Sequence, residues 1–296
     1  MSFQFYSAKK LLEIIEANKF TRISDVVIET EKELTGHSSE EIFENMRRRL
    51  LIMRESIRAG QKKTLKSKSG MVGGESKLMK NLRGKEIFLS ELMRKATEYA
   101  LSVMEVSACM GKIVAAPTAG SSGILPGCLW ALQENLHLAE EEVVRGLLTA
   151  AGIGVIIGNI STFSAAEAGC QAEVGASAAM TAAGISEVRG LSAERCINAA
   201  ALALKNMLGL ACDPIAGLVE VPCVKRNAFG VVHAMTASDM SYAGITSIVP
   251  FDEVVKAMNN IAKNMNENIR ETAKGGLAMS KTGKKISEKV YGKKTT

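Results

Sequence analysis

The sequence predicts an all-α protein, and three observations carry that expectation. Aromatic residues make up only 4% of the 296-residue chain, while small and unbranched side chains supply most of the 47% that is hydrophobic. Apolar residues recur at helical spacing in the N-terminal third. Strict polar–apolar alternation and hairpin signals are missing throughout. A chain of this length builds one large domain or two ordinary ones, and 23% charged residues do not describe a disordered polymer.

"SAKKLLEIIEAN" places Leu11, Leu12, Ile14 and Ile15 on one face. In "SSEEIFENMRRRLLIMRESIRAG", Ser38 and Glu41 form a capping box, Ile42, Met46, Leu50 and Met53 form a stripe, and Gly60 reads as the stop. "KSKSGMVGGESKLM" follows, where Gly70, Gly73 and Gly74 permit a tight loop and Glu75 starts a helix; by pattern alone a flexible linker is slightly favoured. "ELMRKATEYALSVMEVSACMG" is amphipathic, and "AEEEVVRGLLTAAGIGVIIG" begins amphipathic and ends apolar. The alanine- and glycine-rich segments "AEAGCQAEVGASAAMTAAG" and "SAERCINAAALALKNMLG" suit helices in close contact. The chain thus divides into accessory helices over 1–64 packed on the catalytic region, a helical catalytic region over 65–278, and a basic tail over 279–296, for which disorder is the default expectation.

The net charge of +6 is concentrated. Arg47, Arg48, Arg49, Arg54 and Arg58 precede Lys62, Lys63, Lys66 and Lys68, and Lys281, Lys284, Lys285, Lys289, Lys293 and Lys294 mark the tail. Glu40, Glu41, Glu44 and Glu55 share the first cluster, and no nucleic-acid-reading motif accompanies it. A solvated face, or a surface for an acidic protein, is favoured over a nucleic-acid groove. The uncharged stretch Gly146 to Ala166 has the length of a membrane span but is interrupted by glycine, serine, threonine and asparagine. It reads as protein interior. With no secretory signal at the start, the expectation is a cytoplasmic protein with reduced thiols.

Six cysteines stand at 109, 128, 170, 196, 212 and 223, with no CxxC pair. Spacing alone favours small buried residues over metal ligands. "MGKIVAAPTAGSSGILPG" is the most unusual loop: Thr118, Ser121 and Ser122 offer hydroxyls, and Gly120 and Gly123 let backbone amides approach a carboxylate or phosphate. It is no Walker loop, and a buried turn with self-capping hydroxyls is the competing reading. A pyridoxal phosphate enzyme also uses glycine–serine loops, but no lysine sits in a Schiff-base motif and strands are not apparent.

Taken together, "AAPTAGSSGILPG", "EAGCQAEVGASAAM" and "CDPIAGLVEVPCVKRNAFG" resemble the α chain of bacterial iron–sulfur-dependent L-serine dehydratase, and "SGMVGGESKLM" resembles that family's earlier glycine loop. The likeness runs in order over about residues 65–250. It implies that Cys170, Cys212 and Cys223 hold a [4Fe–4S] cluster with one iron open to substrate, without pyridoxal phosphate. It also implies conversion of L-serine to pyruvate and ammonia. Thr118, Gly120, Ser121 and Ser122 are then candidates for holding serine, and Lys112 for nearby positive charge. Among the histidines, His37 sits at a helix start and His137 in a solvated connection. His233 is the best base candidate, although a buried structural histidine is the commoner case. Cys109, Cys128 and Cys196 are expected to be core thiols. The family's β subunit carries a serine–histidine motif that has no counterpart here. A separate β subunit and a hetero-oligomer are therefore expected. The cysteine-ended tail of fused forms is also missing, since this chain closes with "YGKKTT". A non-catalytic scaffold of the same fold is the alternative outside enzymology.

Overall fold

The computed structural model describes residues 2–62 and 64–292. Lys63, Lys293 and Lys294 of the basic clusters lie outside the described residues. The described chain is all-α, with thirteen helices and no strand: α1 Ala8–Asn18, α2 Ile23–Thr35, α3 Ser39–Lys62, α4 Glu75–Lys80, α5 Glu91–Ala108, α6 Ile124–Leu136, α7 Glu140–Ile160, α8 Ala165–Ala168, α9 Ala176–Val188, α10 Ala193–Lys205, α11 Cys223–Tyr242, α12 Phe251–Asn264 and α13 Lys281–Tyr291.

Helix α9 is the hub. Every residue from Ala176 to Val188 is buried, and α6, α7, α10 and α11 pack around it. Its small side chains make that possible. A Cβ on Gly184 would stand 2.5 Å from the Gly146 carbonyl oxygen of α7, so the two backbones touch at a glycine–glycine crossing. The long apolar stretch expected to be interior is α7. It is the one described helix apolar and long enough to cross a membrane, and 67% of its most apolar window is buried inside the fold.

The N-terminal helices lie against this body, α2 on α7 and α3 on α5. The capping box forms as the sequence predicts: the Ser38 amide donates to Glu41 (2.8 Å) and the Glu41 amide to the Ser38 hydroxyl (3.2 Å). Gly60 does not stop its helix, which continues to Lys62. It is required for another reason, since a Cβ there would stand 2.4 Å from the Ser102 carbonyl oxygen of α5. The buried Glu187 carboxylate of α9 accepts the amides of Ile23 (2.9 Å) and Ser24 (3.4 Å), so it satisfies orphan donors at the start of α2.

Two connections differ from expectation. The 66–74 segment is a folded loop and not a flexible linker. Its Ser67 amide bonds to the Val72 carbonyl at 2.9 Å, and the Ser67 and Ser69 hydroxyls both donate to the buried Glu220. Gly73 and Gly74 have φ of 151° and 90°, and Glu75 opens α4 directly after them. The basic tail is likewise ordered over residues 281–291, which form α13, capped by Ser280.

Replacing Gly184 by alanine should drive α9 off α7 and lower the unfolding free energy by about 1–3 kcal/mol, read from urea denaturation. A second expectation concerns pH. Burial pushes the Glu187 carboxyl above its ordinary range, against the pull of its bonds from the Ile23 and Ser24 amides. A raised native value means that the folded chain holds this proton more tightly than the unfolded one. Its stabilising contribution is therefore complete below the ordinary carboxyl range and is lost as pH rises through the native value. Relative to Glu187→Gln, the wild type should lose stability as pH rises above the ordinary carboxyl range of about 4, checked by urea midpoints at increasing pH.

Candidate functional site

Three segments bring the thiols together. Cys170 opens a widened π-helical turn, Gln171–Gly175, that leads into α9. Gly169 before it has φ 70° and lies so close to Leu210 that a Cβ would stand 2.8 Å from its carbonyl oxygen, which accounts for the glycine in "EAGC". Cys212 sits in an extended residue paired with Arg270: its amide donates to the Ile269 carbonyl and its carbonyl accepts from the Glu271 amide, both at 2.8 Å. Cys223 is the first residue of α11. All three are buried, at 1%, 2% and 4% exposure, and none forms a disulfide.

The thiols form one electrostatic unit. The ligand atoms of Cys170, Cys212 and Glu173 lie within 4.8 Å of one another. The neighbouring Cys212 thiol lowers the proton affinity of Cys170, aided by Arg226 and opposed by burial. Cys212 is correspondingly raised by its proximity to Cys170 and by burial. Burial pushes Cys223 up to about 12, with the Cys170 charge adding to the effect. Arg226, one turn into α11, donates to the Ala211 carbonyl (2.8 Å) and to Asp213 (2.9 Å). A guanidinium beside clustered sulfur donors compensates the charge that metal-bound thiolates bring into a buried place. The donor set therefore fits a thiolate-held metal centre.

The glycine–serine loop forms the facing wall. Thr118 Oγ1 donates to Glu173 at 2.6 Å, and a Cβ on Gly120 would stand 3.2 Å from both oxygens of that carboxylate. Burial raises the Glu173 carboxyl, opposed by the Thr118 bond. Ser121 lies 3.2 Å from the Thr118 hydroxyl, whereas Ser122 turns into the interior and donates to the Ala119 carbonyl at 2.9 Å. The fully buried Asn227 joins loop to thiol. Its amide nitrogen donates to the carbonyls of Gly120 (2.8 Å) and Cys223 (2.9 Å), while its oxygen accepts from the Gly123 amide (3.0 Å).

Other candidates lie elsewhere. Lys112 is solvent-exposed ahead of the loop. His233 stands ten residues beyond Cys223, about 15 Å along the helix at 1.5 Å per residue, with Nε2 2.8 Å from the Ala203 carbonyl oxygen. His37 is exposed, and His137 caps α6 in a left-handed conformation. Cys128 and Cys196 are core thiols whose burial raises them far above their ordinary range. Cys109 is only half-buried and helps line a separate cavity of about 540 Å³ with Lys66, Ser69 and Glu220. Glu173, Asp213, Arg226 and Asn227 were not among the sequence candidates. Three of them carry a signal in helical spacing, with Glu173 three residues after Cys170 and Arg226 and Asn227 three and four after Cys223, while Asp213 directly follows Cys212.

Comparison with known proteins places this geometry in context. The family model described as serine dehydratase alpha chain matches residues 18–278. A protein of Bacillus subtilis (strain 168) named "Probable L-serine dehydratase, alpha chain" is 44% identical over 289 residues, covering 97% of this chain and 96% of its own. The "L-serine dehydratase, alpha chain" of Peptoniphilus asaccharolyticus is 42% identical over 282 residues, covering 95% and 96%. The "L-serine dehydratase" of Streptomyces coelicolor is 34% identical over 277 residues, 90% of this chain and 60% of that longer protein.

Asn227→Ala should strand the Gly120 and Cys223 carbonyls and the Gly123 amide in the interior. It should cost about 2–4 kcal/mol of stability by urea denaturation, at the upper end of what unsatisfied buried groups cost.

Proposed function

The chain belongs to the serine dehydratase alpha chain family, and on that premise we propose that it is the α subunit of an enzyme that eliminates water from L-serine. The enamine left by loss of the α-proton and the hydroxyl group tautomerises, and hydrolysis of its imine yields pyruvate and ammonia. The observation that supports this reading is the grouping of Cys170, Cys212 and Glu173 within 4.8 Å beside the Thr118–Gly120 loop, to which Asn227 ties the Cys223 turn.

Cys170, Cys212 and Cys223 would hold a [4Fe–4S] cluster, which when bound supplies a Lewis acid that makes hydroxide a feasible leaving group. The chain's own residues do the rest. Arg226 balances the thiolate charge and, through Ala211 and Asp213, fixes the segment on either side of Cys212. Thr118 Oγ1, which donates to Glu173 in the free site, is placed to donate to the serine carboxylate. Gly120 leaves room for substrate beside Glu173 because it carries no side chain. Glu173 is the ionisable group of this wall. It can take up a proton once the Thr118 hydroxyl turns from it to the serine carboxylate. Ser121 orients the Thr118 hydroxyl, and Ser122 shapes the turn.

A separate β chain completing the active site is part of the proposal, in keeping with the α-chain names of the two relatives matched over nearly their whole length. So is a cytoplasmic location, where six unpaired cysteines stay reduced. Anaerobic reconstitution should load about four irons per chain, the content of one such cluster. Cys170→Ala, Cys212→Ala and Cys223→Ala should each lose that load, and pyruvate should form from L-serine with the β partner present. A properly folded wild type that takes up no iron and sulfide even with its partner would sink the iron mechanism.

A further inference from the structure

The family match ends at residue 278, and α13 lies beyond it. We infer that α13 is a clamp that positions the loop carrying Cys212 and Cys223, with the Tyr291 hydroxyl as its point of contact. The functional meaning of the clamp rests on those cysteines forming the metal centre.

Between the two cysteines the chain has little regular structure to hold it. Residues 213–222 contain one short helical turn, Ile215–Gly217, and one backbone bond across the loop, from the Ile215 amide to the Val221 carbonyl at 2.9 Å, while the far end is held at Glu220 by the Ser67 and Ser69 hydroxyls. Ala216 at the centre of that turn is left-handed, with φ 56° and ψ 20°. A residue with a Cβ adopts this conformation at a cost, so something outside the loop must favour it. The Tyr291 hydroxyl supplies such a contact by donating to the Ala216 carbonyl at 2.7 Å.

The clamp has a second point of attachment. The Leu277 amide donates to Asp213 Oδ2 at 2.8 Å, while Oδ1 of the same carboxylate takes the Arg226 guanidinium. Gly276 has φ 55°, and a Cβ there would stand 2.3 Å from Asp213, so the segment before α13 is fitted closely to this side chain. The helix itself is anchored at its start. Ser280 accepts from the Gly283 amide at 3.0 Å, and a Cβ on Gly283 would stand 2.5 Å from the Leu277 carbonyl oxygen. The C-terminal segment thus grips the loop next to Cys212 at Asp213 and again at its left-handed midpoint. Tyr291 touches no sulfur and is a positioning residue.

The test uses the full chain with Tyr291→Phe, Ala216→Gly and the double variant. Tyr291 is 56% exposed, so removing its hydroxyl leaves the core intact. In the metal-free chain, Tyr291→Phe should speed amide hydrogen exchange over residues 211–222 about fivefold, the effect of losing one hydrogen bond, with α7 and α9 unchanged. In the reconstituted chain it should speed iron release to a chelator by a similar factor. Ala216→Gly removes the left-handed penalty and should restore iron retention in the double variant. Unchanged exchange over 211–222, or acceleration spread evenly over the helices, would overturn the clamp. Faster local exchange with unaltered iron release would overturn its positioning role. Local acceleration in a chain that never holds iron, wild type included, would leave the clamp standing and remove the metal centre instead.

Discussion

The charge that the buried thiols would carry is the problem around which this structure is arranged. Three cysteines with at most 4% exposure cannot all shed protons in an apolar interior without a compensating cation. Arg226 is that cation within the site. Its position depends on α11 starting at Cys223, because one helical turn separates the two residues. Asp213 and the Ala211 carbonyl hold the other side of the guanidinium, so charge compensation and loop placement are a single interaction.

That arrangement stands on a platform of small residues. Helix α9 is buried on every side, and its alanines and Gly184 let α7 and α10 pack against it and fix where its N-terminus lies. The widened turn of residues 171–175 sits at that end and sets Cys170 and Glu173 toward the Thr118 loop. Asn227 then ties the loop to the Cys223 turn through three bonds. The site is therefore rigid at the α9 and loop sides. The segment from Cys212 to Cys223 is held instead by contacts from other parts of the chain, at Glu220 by the 66–74 loop and at Cys212, Asp213 and Ala216 by residues 269–291.

Much of this was legible in the residues. The capping box of Ser38 and Glu41, the apolar face of α1 and the buried character of α7 all follow from local patterns, because helix periodicity and end-capping involve neighbours a turn apart. The motifs around Cys170, Cys212 and Cys223 stood out against a thiol-poor spacing only through their resemblance to a family. Gly60 reads as a stop in the sequence but serves a close helix crossing, since a glycine needed for either purpose looks the same there. The 66–74 loop resembled a linker because its partner, Glu220, lies far along the chain. The basic residues after 280 resembled a loose tail because the groups α13 docks on belong to other segments.

By itself, then, the sequence determined the helical class, most of the helix faces and which cysteines to examine, since each depends on residue types at short spacing. Only the tertiary structure decided which groups surround those cysteines. Glu173, Arg226, Asp213 and Asn227 acquire their meaning from distances between segments far apart in the chain. It likewise decided that His233 faces the Ala203 carbonyl, since neither its place in α11 nor its neighbours in sequence specify what lies opposite. The physical reason is the same throughout. Periodicity and capping are local, whereas charge compensation and close backbone approach are properties of what packs against what.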